Sequence, residues 1–124
     1  MKKISPFVQG IFYVIAGINH FINPDFYLPL IPEYFVFPEM INYLSGFCEI
    51  VLGGMLFSER SRKSAAYLII VMLLGFVPSH VYFIQQGSCL EGGLCVPAWV
   101  GWGRLILIHP ILIWWAWSVR HMRN

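Results

Sequence analysis

Charge is what this chain has least of. Asp, Glu, Lys and Arg make up 11% of its 124 residues, against about a quarter in a soluble protein. With 58% apolar and 17% aromatic residues, a chain this short cannot hide its apolar surface in its own core. Lipid would have to cover it. The net charge of +2 is modest and gives no argument for nucleic acid. Other absences narrow the chemistry. The sequence has no Cys-x-x-Cys pair, no nucleophilic triad, no phosphate loop, no paired catalytic carboxylates and no His or Cys cluster at metal-ligand spacing. It has no internal repeat or low-complexity segment, and it reads as one domain, 1–124.

The most informative absence is local. Connections 23–38 and 86–97 contain no Lys or Arg, only Asp25, Glu33 and Glu91, with Glu39 at the edge of the following span. Seven of the eight basic residues fall elsewhere outside the apolar stretches: Lys2 and Lys3, then Arg60, Arg62 and Lys63, then Arg120 and Arg123. Basic segments stay cytoplasmic. The alternation predicts an all-α membrane protein, an antiparallel bundle of four transmembrane helices with both termini cytoplasmic and loops 23–38 and 86–97 extracytoplasmic. The spans are 4–22, 40–57, 65–84 and 98–119, each near the ~20 residues that cross a bilayer. Helix is the state that pairs its own backbone in lipid. The first run is longer than a secretory signal core and has no small-residue cleavage site, so it reads as a retained helix. Ser64 is the expected cap of the third helix.

Connection 23–38 carries Pro24, Pro29, Pro32 and Pro38 among Phe, Tyr, Leu and Ile. Proline forbids one long helix, and the aromatics forbid a solvated loop. The segment should lie in the outer headgroup zone with Asp25 and Glu33 reaching water, either as a sealing lid or as a ledge over an outward-facing cavity.

Helical periodicity assigns faces. Gly10, Tyr13, Gly17 and His20 share one stripe, and Asn42, Gly46, Glu49 and Gly53 another. Small residues allow close helix approach in lipid, so the polar members of both stripes face protein. Glu49 lies near mid-membrane, where an isolated carboxylate is costly. Arg104 and His109, about 9 Å and 16 Å from the outer boundary at ~1.5 Å per residue, are its expected partners, with either pairing credible. They stand five positions apart, about 140° around an ideal helix, and a kink at Pro110 would have to reconcile them; Pro78 does the same before His80. Asn19 and Asn42 complete the polar candidates. Glu49, Arg104, His20, His80 and His109 either form a structural clasp or line a proton-accessible pocket in the outer half of the bundle.

Cys89 and Cys95 share the second outer connection, an oxidising location, with Gly92 and Gly93 to turn the chain between them, and a disulfide is expected. It reads as a staple. Cys48 reads as a packing residue. His20 and His80 near one boundary invite a bis-histidine haem reading, but His at a helix end is more often an interfacial hydrogen-bonder. Trp99 and Trp102, then Trp114, Trp115 and Trp117, read as two interfacial belts.

Four segments carry a resemblance: Ala16-Gly17-Ile18-Asn19-His20-Phe21, Leu44 to Gly53 around Gly46 and Glu49, Pro78-Ser79-His80, and Arg104 to Pro110. In their order and four-span plan they resemble DoxX-type membrane proteins. That resemblance implies a multi-pass protein of a prokaryotic plasma membrane, linked in some members to membrane oxidoreductase complexes with protein partners. It assigns no catalytic residue. The combined expectation is a redox-system subunit or accessory, alone or as a homo-oligomer, whose pocket takes a quinone or lipid-like amphipathic ligand. The alternative is a non-enzymatic scaffold whose polar cluster fixes helix register.

Overall fold

The computed structural model describes residues 4–32, 34–90 and 95–123. The expectations for Lys2, Lys3, Glu33, Glu91 and the Gly92-Gly93 turn lie outside them. Among the described residues all regular structure is helical, apart from one isolated bridge between Cys89 and Cys95. Helix α1, Ser5–Ile22, carries Pro6 in its first turn, where a missing N–H costs nothing, and stops where Pro24 disfavours helix at Asn23. A short α2, Pro24–Tyr27, runs into a 3-10 turn, Leu28–Leu30, as a proline-rich segment must be broken into pieces. Phe37 then enters the left-handed region, φ 61°, and Pro38 starts α3, Pro38–Met55.

The third expected span begins earlier than its sequence indicates. Helix α4 is Glu59–Gly75, so Ser64 lies inside a helix and caps nothing. The basic cluster is the first turn of α4. There Ser61 Oγ donates to the Met55 carbonyl at 2.6 Å and Arg62 Nε to Leu56 O at 2.8 Å. These bonds satisfy carbonyls that a helix end leaves open. The break expected near Pro78 falls at Phe76, and α5, Val77–Gln85, follows. The last helical stretch is α6, Ala98–Gly103, a π-helical turn, Arg104–Ile108, and α7, His109–Val119.

Helix α1 packs along α3 and α4 along α7; α5 against α6 extends the second pair, and α3 against α4, with a smaller contact of α1 on α7, joins the two pairs. The two glycine stripes meet face to face. A Cβ on Gly53 would come within 2.8 Å of Gly10 O, and one on Gly46 within 2.8 Å of Gly17 O. The main apolar core lies between the pairs around Leu52, Leu56, Ile69, Leu73 and Ala116. Leu30, Phe83 and Leu90 form a smaller one under the connections at the other end.

Three helices, Ser5–Ile22, Glu59–Gln85 and Ala98–Val119, are long and apolar enough to cross a membrane. Helix α3, expected as a fourth span, is not among them. Their surfaces are strongly apolar: within Ala98–Val119 only 11% of the 18-residue stretch most suited to a membrane is buried. Trp99, Trp102, Trp114 and Trp117 are exposed, whereas Trp115 turns inward and donates to Ser5 Oγ at 2.8 Å. The Cys89–Cys95 disulfide is formed, and Gly87 and Ser88 reach it through positive φ.

Candidate functional site

The break between α4 and α5 and the short pieces after α1 leave space between the two helix pairs. A cavity of about 500 Å³ lies there, within the range of small-molecule sites, with His20, Asn42, Glu49, His80 and Arg104 in its wall. Tyr27, Leu30, Ile31 and Pro32 roof it, and Met72 and Phe76 supply apolar wall opposite. Phe35 and Leu44 both line it and are exposed, so the cavity is reached from the surface.

The α1 and α3 stripes position one side. His20 Nδ1 lies 2.7 Å from Asn42 Oδ1, and Asn42 Nδ2 donates to His20 O at 3.0 Å. Because the amide nitrogen is committed to the carbonyl, the amide oxygen accepts from Nδ1–H. Neutral His20 therefore presents only a lone pair at Nε2. That atom is 3.5 Å from Glu49 Oε2, so one proton between them makes a charged pair or a neutral acid and base. Glu49 is 7% exposed, and Oε2 completes no hydrogen bond among the described residues.

The expected partners of Glu49 are thus corrected. Neither Arg104 nor His109 pairs with it; His20 is its neighbour, because the close glycine seam brings α1, not α7, against the Glu49 face of α3. Arg104 lies in the cavity wall with its guanidinium 5.0 Å from the Phe83 ring centre, and its buried Nη1 has no hydrogen-bond partner among the described residues. His109 is buried outside the cavity. Its Nε2–H donates to Leu73 O at 2.5 Å, in the turn before the α4–α5 break, and its ring meets His80 edge to face at 4.7 Å.

The angular problem between Arg104 and His109 is solved by the π turn, not by Pro110 alone. The His109 N–H bonds to Arg104 O, five residues back, and the widened turn rotates His109 towards Arg104's side. Pro110 adds no N–H to the next rung. Both residues then approach His80, which lies on α5.

Asn19 does not line the large cavity. It donates to Tyr27 OH at 2.7 Å and accepts from Asn23 at 2.6 Å, and so holds the Tyr27 ring stacked on His20 at 3.8 Å between centres. Tyr27 and Cys48 are site residues that the sequence reading missed. Tyr27 sits in the proline-rich segment, where no periodicity assigns a face. Cys48 lines the cavity as a free thiol, although helical spacing turns it about 100° from Glu49; the cavity wraps far enough around α3 to reach both. His20 Nδ1 is committed to Asn42, Glu49 stands 3.5 Å before Nε2, and Tyr27 covers one ring face, so the position an axial iron would take at Nε2 is crowded by the Glu49 carboxylate. Among the described residues no three His, Cys, Asp or Glu side chains group as metal ligands.

The model of a family described as a domain of unknown function (DUF8561) matches residues 10–120, and the chain belongs to that family. This corrects the resemblance to DoxX-type proteins, for which there is no family match. Its motifs are short runs of small and polar residues that a close helix seam with interior polar groups produces on its own. The redox-complex role and prokaryotic plasma-membrane location implied by that resemblance lose their basis. No curated protein and no solved structure matches the chain.

Proposed function

We propose that the chain is a membrane-embedded binding protein with four spans and cytoplasmic termini, whose cavity takes the polar head of a small amphipathic, lipid-like molecule. The observation that carries this reading is a surface-reached cavity of about 500 Å³ with a largely apolar wall and two buried, hydrogen-bond-deficient groups, Glu49 Oε2 and Arg104 Nη1. Buried polar atoms are costly unless bonded, and a ligand head satisfies them where apolar side chains would not.

Helix α3 counts as a span on the identity of its outward residues. Its 18 residues extend about 27 Å. Of the polar residues that lower its hydropathy, Asn42 and Glu49 are buried and Glu39 is exposed in the first turn at the helix end, while Met40, Tyr43, Leu44, Phe47 and Val51 are exposed along its length. The Lys and Arg asymmetry then orients the bundle and puts the cavity in the outer leaflet. Arg104 would donate to a carbonyl or anionic oxygen in its reach, Glu49 and His20 would hold a hydroxyl or carbonyl through their shared proton, and Tyr27 would close the top. A quinone is one molecule with this chemistry.

The second reading, a scaffold without ligand, is favoured by the reciprocal His20–Asn42 bonds, which lock α1 to α3. It leaves Arg104 unexplained. Extraction and mass spectrometry of protein purified in mild detergent separates the two. Wild-type protein should yield an amphipathic molecule in near-stoichiometric amount, and Glu49→Gln and Arg104→Gln should lose it while melting normally. Wild-type protein that carries no organic molecule, and takes up none from added quinone or lipid, would leave only the scaffold.

A further inference from the structure

Four buried polar atoms along the α1–α3 seam complete no hydrogen bond of good geometry among the described residues: both of the Gln9 amide, the Tyr13 hydroxyl oxygen and Glu49 Oε2, although Gln9 and Tyr13 lie near enough to interact with each other. Gln9 is 0% and Tyr13 2% exposed, and neither belongs to the cavity wall. Glycine contacts fix their heights. A Cβ on Gly46 would lie 2.7 Å from His20 Cβ, and one on Gly53 would lie 3.0 Å from Tyr13 Cβ. Glu49 follows Gly46 and precedes Gly53 on the same stripe, so it stands between His20 and Tyr13. Ser5, Gln9 and Tyr13 continue downward at a spacing of four, on one face of α1. Ser5 is half-buried at that helix's N-terminal end, with its oxygen accepting from Trp115. The order along the seam is Asn42 and His20 at the cavity, then Glu49, Tyr13, Gln9 and Ser5.

The close glycine contacts of the seam involve neither Gln9 nor Glu49. Buried polar atoms of this kind are bonded by internal water, which needs two or more polar partners at each position. A continuous series of ionisable and hydroxyl groups inside a membrane bundle is the composition of a proton relay.

We infer that the seam is a hydrated proton path joining the cavity to the N-terminal end of α1, and that the protein conducts protons along it. A proton on His20 Nε2 passes to Glu49 Oε2, and the carboxyl releases it to a bound water. The Tyr13 oxygen accepts a proton as its own hydrogen moves on to the next water. Gln9 orients water through both ends of its amide and keeps its protons, and the Ser5 hydroxyl is the last relay. Each group ends as it began, with one proton moved. The groups that face Glu49 are His20 and Tyr13 from α1, Cys48 beside it on α3, and His80 and Arg104 across the cavity; α4 contributes Met72 and Gly75, which do not titrate.

This inference rests on the membrane-spanning reading but needs no ligand, so loss of the ligand proposal leaves it standing. The test is the full chain in liposomes loaded with a pH-sensitive dye, given an external acid step with valinomycin and potassium to clamp the voltage. Flotation of the vesicles establishes insertion separately. Inserted wild-type protein should acidify the lumen faster than protein-free vesicles do. Glu49→Gln and Tyr13→Phe should lose that excess, Gln9→Leu should lose most of it, and Trp99→Phe, on the outward surface, should keep it. Inserted wild-type protein at the protein-free rate overturns the path, as do Tyr13→Phe and Gln9→Leu variants as fast as wild type. Where a variant fails to insert, magnetisation transfer from water to the Gln9 and Tyr13 side chains of the unmodified chain decides, and its absence overturns the path.

Discussion

Two arginines in this molecule are surrounded in opposite ways. Arg62, at the end of the bundle expected in the cytoplasm, is 1% exposed and donates to Leu56 O and Met122 O at 2.8 Å and to Phe57 O at 3.4 Å. Arg104, in the cavity at the other end, stacks on Phe83 and leaves Nη1 buried without a hydrogen bond among the described residues. One cation closes the structure by collecting the carbonyls that end α3 and by tying down the segment after α7. The other is held ready with capacity unspent. The contrast separates a structural end from the end proposed to bind, and burial alone would not have distinguished them.

The comparison can be broken most directly by removing each guanidinium. Arg62→Met strands three carbonyls and should cost about 3 kcal/mol, since bonds to a charged donor contribute most among hydrogen bonds; thermal melting in detergent reads it. Arg104→Met should change melting by less than about 1 kcal/mol, because no hydrogen bond among the described residues is lost and an apolar side chain can keep contact with Phe83, while abolishing ligand retention. Equal losses for the two would erase the distinction. Next in size is the seam that supports the cavity end. In Gly17→Ala the new Cβ would stand 2.5 Å from Gly46 O and 2.9 Å from the Ile50 backbone nitrogen, where nothing flexible can yield. A loss of about 2 kcal/mol, with weakened His20–Glu49 pairing, is expected; wild-type melting would show the seam is looser than described. The smallest effect belongs to the outer loop. Opening Cys89–Cys95 by a double serine substitution removes a cross-link over a short loop and should cost about 1–2 kcal/mol, leaving the cavity groups in place. Mass spectrometry of unreduced protein checks the bond itself.

Much of this arrangement was legible in residue order. The glycine stripes of α1 and α3 could be read by counting, because a helix repeats its faces and small residues at that repeat mark a close neighbour. Gly10, Gly17, Gly46 and Gly53 are all buried where the count puts them. The disulfide was legible because two cysteines in one short connection have few other choices. Less visible was the start of α4: a run of Arg, Ser and Lys looks like a loop until Arg62 and Ser61 find the carbonyls of the preceding helix. Least visible was the π turn, since nothing in Arg104–Ile108 distinguishes a widened turn from a regular one.

Residue order by itself determined that the chain is helical and apolar on its outside, that Glu49 and His20 face inward, and that Cys89 joins Cys95. These follow from local periodicity, composition and proximity along the chain. Only the tertiary structure decided which side chain stands beside Glu49, that Tyr27 covers His20, that Arg104 is left uncompensated and that a cavity separates the two helix pairs. Those outcomes depend on distances between helices, set by how closely backbones pack and where prolines and a π turn interrupt them, and no one-dimensional pattern encodes such distances.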